Sequence, residues 1–168
     1  MVRKLISFLT VSLFFVGCHF SAVPPSGEIE KDIARVKINQ STGGKAPIPM
    51  GDGLTIVNFF DEFSTGCPTG NRFETMERVN SFRRAGTKIL FIFSDKHFSA
   101  QDITNFKAIL PMAESLVQGD IEPIRPQLTF GKLLVVFDST GNVIWREKPG
   151  TSEQQVFSEL SRLMESSK

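Results

Sequence analysis

The sequence predicts an α/β fold, a mixed central sheet flanked by helices on both faces. Apolar runs at 54–60 (LTIVNFF), 88–94 (KILFIFS) and 133–137 (LLVVF) have the length and composition of strands buried on both faces. Helical periodicities lie between and after them. The last run is followed by a turn, DSTGN, and a further strand, VIWREK, so alternation gives way to a hairpin and the sheet should be mixed.

Each element has its own signal. Pro68 suits a first helical turn, and Phe73, Met76, Val79 and Phe82 then form an apolar stripe that Gly86 ends. Ser99 and Asp102 make a capping box ahead of Ile103, Phe106, Ile109 and Leu110. Thr151 and Ser152 can cap a last helix carrying Val156, Phe157, Leu160, Leu163 and Met164. The expected order is strand, helix, strand, helix, strand, hairpin, strand, helix. Upstream, EIEKDIARVKI reads as a short helix or an early strand, with Ile29, Ile33 and Val36 at helical spacing. NQSTGGKAPIPMGDG is loop, full of breakers.

Charge is nearly balanced, 19 basic residues against 18 acidic, with no basic surplus or charge block that would suit nucleic acid. Sixteen phenylalanines, with one tryptophan and no tyrosine, fill a core and specify no chemistry. At the N-terminus Arg3 and Lys4 precede an apolar stretch from Leu5 to Val16, too short to span a bilayer and suited to a signal-peptide h-region. It ends in Phe15-Val16-Gly17-Cys18, which resembles a bacterial lipobox. That resemblance implies cleavage before Cys18, lipidation of its thiol, and a mature formal charge near −1 after Arg3 and Lys4 are lost. The other reading is a plain secretory signal with an incidental cysteine. The expected division is a signal peptide over 1–17, anchor and tether over 18–45, and a domain over 46–168. His19 follows the cysteine where an inner-membrane retention aspartate stands in many Gram-negative lipoproteins, so the periplasmic face of an outer membrane is the favoured address if the source has two membranes.

The order of elements resembles the thioredoxin fold, whose active cysteine lies between the first core strand and the following helix. Cys67 stands at that junction, and Ala46-Pro47 is similar to the start of secreted thioredoxin-like domains. Beside a helix start, free N–H groups and the dipole favour thiolate over thiol. The competing reading of Cys67 is a small buried hydrophobe. Thioredoxins resolve a mixed disulfide with a second thiol three residues on; here that position is Gly70. Lys132 occupies the place of their cis-proline.

Ser64-Thr65-Gly66-Cys67-Pro68-Thr69 resembles the peroxidatic segment of peroxiredoxins, and SDKHFSAQD is similar to their segment after the second strand. The pattern departs at Phe60, where the family has proline, and at Gly70, where glutamate is common. The resemblance implies that Cys67 attacks a peroxide oriented by Ser64, with Lys132 in the place of an arginine beside the thiol. A sulfenic acid formed there needs an external thiol reductant. Of the metal set used by copper-chaperone relatives, Gly70, Asn71 and Phe130 leave only Cys67, so no metal or other cofactor is expected. His97 reads as a surface or hydrogen-bonding residue, and Asp61 and Glu62 as solvated loop carboxylates. The expected partners are membrane lipid through Cys18 and an external thiol reductant. The rival class is a catalytically degenerate scaffold that binds a protein in the cell envelope.

Overall fold

The computed structural model of the chain describes residues 26–62, 72–110 and 112–166. Its elements are α1 (Ser26–Arg35), β1 (Lys37–Asn39), β2 (Lys45–Ala46), β3 (Thr55–Phe60), α2 (Arg72–Asn80), β4 (Lys88–Ser94), α3 (Ala100–Ile109), β5 (Leu116–Asp120), β6 (Lys132–Phe137), β7 (Val143–Arg146) and α4 (Glu153–Ser166). Short 3₁₀ segments, Ala113–Ser115 and Glu122–Gln127, flank β5.

Among the described residues the seven strands form one sheet in the order β2-β1-β5-β4-β3-β6-β7. β3, β4 and β5 run parallel; β6 joins β3 antiparallel, opposing Phe60 to Lys132 and Asn58 to Leu134. The apolar runs at 54–60 and 88–94 become β3 and β4 because both faces are covered. On one face Ile56, Phe60, Phe91, Phe93, Leu134 and Val136 pack with Met76 and Val79 of α2, Ile103 of α3 and Leu160 and Met164 of α4. On the other, Val57, Phe59, Leu90, Ile92, Leu133 and Val135 pack with Ile29 and Ile33 of α1 and with Ile121 and Ile124. The Ser99–Asp102 capping box forms at the start of α3, and all five apolar positions expected on α4 are buried.

Three expectations change. Residues 26–45 are part of the fold: Ile29 is 1% exposed, and β1 pairs with β5. LVQGD, left unassigned by its sequence, is the strand β5 between α3 and β6. Ile109 is 70% exposed, whereas Leu110 is buried. At about 100° per residue, position 110 returns to within about 20° of Ile103, while 109 lies about 120° away. No helix among the described residues is long and apolar enough to cross a membrane.

Candidate functional site

β3 ends at Phe60, and its exit is fixed by two neighbours. The first is the reversal into β6. Thr129 and Lys132 exchange backbone hydrogen bonds of 2.9 and 3.1 Å around Phe130-Gly131, a two-residue turn with φ of 51° and 71°. Positive φ at both central positions matches the twist of a β-hairpin. Gly131 carbonyl accepts the Asp61 N–H at 2.9 Å, and a Cβ on Gly131 would stand 3.1 Å from the Glu62 carbonyl oxygen. Glycine suits both this φ and this close approach, and a side chain there would be strained.

The second neighbour is a cluster of charges around Asp61. Its side chain is only 10% exposed; Oδ2 accepts from Arg125 Nε at 2.9 Å, and Oδ1 lies 2.9 Å from His97 Nδ1. His97 Nδ1 is also 3.0 Å from the Asp61 carbonyl oxygen, so the imidazole binds both main chain and side chain of one residue. Arg125 extends the cluster to Glu122, which bonds Lys96 at 2.6 Å. The Lys96 ammonium holds the Glu122 carboxyl below its usual range, with Arg125 adding to the effect. Asp61 is therefore a buried structural carboxylate, against its expected solvation, and His97 is the hydrogen-bonding residue that was expected. A carboxylate leaves water only when cations and donors replace it, and here Arg125 and His97 do so.

Lys132 opens β6 opposite Phe60. Its ammonium lies 3.2 Å from Glu147 Oε1, and Glu147, 9% exposed, is held by its own N–H on the Leu134 carbonyl at 2.8 Å. The Lys132 charge is thus balanced by a buried carboxylate. Asn58, Phe60, Lys132 and Glu147 line a cavity of about 250 Å³ between the sheet and helices α2 and α4. Asn58, the one amide in an apolar strand, is 2% exposed, and its Oδ1 has no hydrogen-bond partner among the described residues.

Of the residues expected to act, Lys132 is at this end of the sheet. Ser64 and Cys67 lie outside the described residues, in the 63–71 connection between the end of β3 and α2, and Cys18 lies outside them as well. Among the described residues no group of three or more His, Cys, Asp or Glu side chains is gathered as a metal site requires. Sequence reasoning missed Asn58, Arg125 and Glu147. A lone amide inside LTIVNFF was a usable signal for Asn58; nothing local announced the other two.

No protein-family model matches the sequence, and no curated protein does. Solved structures do. A thioredoxin-like protein from Aeropyrum pernix superposes with a TM-score of 0.55 at 13% identity, over 82% of this chain and 92% of that one. Peroxiredoxin Q from Xanthomonas campestris gives a TM-score of 0.52 at 18% identity, over 82% and 96% respectively. Yeast Sco1 with copper bound gives 0.52 at 11% identity, over 77% and 90%. At such identities the likeness is one of fold.

Proposed function

We propose, proceeding from the thioredoxin-like fold that this chain has, that it is a lipid-anchored extracytoplasmic thiol redox protein that reduces peroxides through Cys67. The observation that carries the reading is the place of Cys67 in the chain. It lies in the connection between the central strand β3 and α2, and Lys132 and a cavity lie at that end of the sheet. The likeness to peroxiredoxin Q supports the peroxide assignment at the level of fold, and the Ser64–Thr69 segment supports it at the level of motif.

The chemistry balances as follows. Cys67 thiolate attacks one peroxide oxygen; the S–O bond forms, the O–O bond breaks, and the departing oxygen takes a proton to leave as alcohol or water. Cys67 becomes a sulfenic acid. One external thiol then displaces water to form a mixed disulfide, and a second releases Cys67 and carries away the oxidised pair. Ser64 orients the peroxide. Lys132 acts as a hydrogen-bond donor held in place by Glu147, because the pair carries little net field. Cys18 supplies the lipid attachment.

With a Cys18→Ser variant, Cys67 is the only thiol. Its alkylation rate is measured against pH, and sulfenic acid is trapped after peroxide addition and weighed. Fast sulfenate formation and a thiol titrating well below about 8.5 are expected. An inert thiol would sink the reading. It would favour the second one, a degenerate scaffold for an envelope protein, which the neutralised Lys132 also supports.

A further inference from the structure

We propose, resting on the thiol chemistry inferred above for Cys67, that His97 and Arg125 act through Asp61 as positioning residues for that thiol. The juxtaposition behind it is a knot at one end of the sheet. The Asp61 N–H donates to the Gly131 carbonyl at 2.9 Å, at the entry to β6. The Asp61 carbonyl oxygen and Oδ1 lie 3.0 and 2.9 Å from His97 Nδ1, in the turn after β4. Oδ2 accepts from Arg125 Nε at 2.9 Å, in the 3₁₀ segment after β5. One residue thus joins the exits of the three parallel strands to the entry of the antiparallel one.

The strands do not need this knot for their alignment. β3 is in register with β4 and β6 as far as Phe60, so the cluster acts on the residue after the last paired one. Apolar residues of similar volume commonly stabilise a buried site as much as an ion cluster does. What the cluster supplies is direction. Cys67 follows Asp61 by six residues, a span of at most about 22 Å of chain. Lys132 adjoins the Gly131 carbonyl that holds Asp61, so one bond sets the chain leaving β3 against Lys132. His97 Nδ1 faces two acceptors and therefore carries a proton whether or not the ring is charged, and Nε2 is the nitrogen left to titrate. The clamp holds in both charge states of the ring.

The test uses the full chain carrying Cys18→Ser, so that Cys67 is the only thiol. Two rates are measured. Sulfenate formation with hydrogen peroxide needs an aimed thiolate, whereas alkylation by iodoacetamide, above the pH at which the thiol titrates, needs only a thiolate. His97→Leu removes the donor and should slow the peroxide step at least about tenfold, while alkylation stays within about twofold. His97→Asn, whose Nδ2 stands where Nδ1 stood, should restore the peroxide rate. Arg125→Gln, at a side chain 46% exposed, gives the same comparison if His97→Leu does not fold. In ¹⁵N spectra His97 Nδ1 should stay protonated from about pH 5 to pH 8. An unchanged peroxide rate in the variants overturns the inference and leaves the reading of Cys67 standing. So does an equal change in both rates, the mark of a general loosening, or an Nε2–H tautomer of His97. If Cys67 is inert to peroxide with the cluster intact, both fall.

Discussion

Asp61 shows how much a single carboxylate does at the end of β3. Asp61→Asn keeps the size of the side chain but removes the charge that Arg125 and His97 face. We expect a loss of about 1–3 kcal/mol in urea unfolding. The 3–5 kcal/mol typical of a fully buried pair is not reached, since Arg125, at 46% exposure, can return to water. Glu147→Gln tests the other pair. It leaves the Lys132 ammonium uncompensated, so Cys67 alkylation at neutral pH should rise, by up to about the tenfold that one pKa unit represents. An unchanged rate would mean that Lys132 does not act on the thiol. These partnerships were hard to read from sequence for one reason. Asp61 is buried by Arg125, 64 residues away, and Lys132 is paired with a glutamate just past the end of the next strand, and neither separation leaves a periodic trace. Asn58 did leave a trace, because an amide in a strand buried on both faces must answer for its hydrogen bonds.

Among the elements, the β6–β7 hairpin carries the clearest pH dependence. Asp138 accepts from the Thr140 hydroxyl and N–H and from the Asn142 N–H and side chain, and these bonds, led by the Thr140 hydroxyl, lower its pKa to about 2. Its folded value lies below the unfolded one of about 3.9, so the contribution is complete above that value and fades as pH falls towards 2. The difference in urea midpoint between the native chain and Asp138→Ala should therefore shrink between about pH 4 and pH 2, and be constant at neutral pH. For α3, Ser99→Ala removes the capping box and should cost about 1 kcal/mol in the same assay. That cap was legible in the sequence, as were β3, β4, β6 and the buried face of α4, because each signal is local or strictly periodic. β5 was not. Its five residues, LVQGD, mix apolar with polar side chains, and only two of them are buried.

For the whole molecule, the two halves of the sheet meet where β5 lies between β4 and β1. A Cβ on Gly119 would stand 2.8 Å from the Lys37 carbonyl oxygen and 3.1 Å from Ile92 Cγ2. Gly119→Ala should thus push β1 off the sheet and cost about 1–3 kcal/mol, with the amides of residues 37 and 38 exchanging hydrogen faster than those of β3. The pairing also sets an order of events during synthesis. Among the described elements α1 and β1 leave the ribosome before the others, yet β1 pairs with Gly119 and Asp120, and the apolar face of α1 packs with Ile121 and Ile124. Until some eighty further residues have been made, β1 lacks the strand it pairs with, and Ile29, Ile33 and Val36 lack Ile121 and Ile124. Completing the packing of α1 and β1 is thus a long-range closure of the kind that slows folding. For that interval the chain offers a greasy helix to whatever chaperone or translocation machinery is nearest.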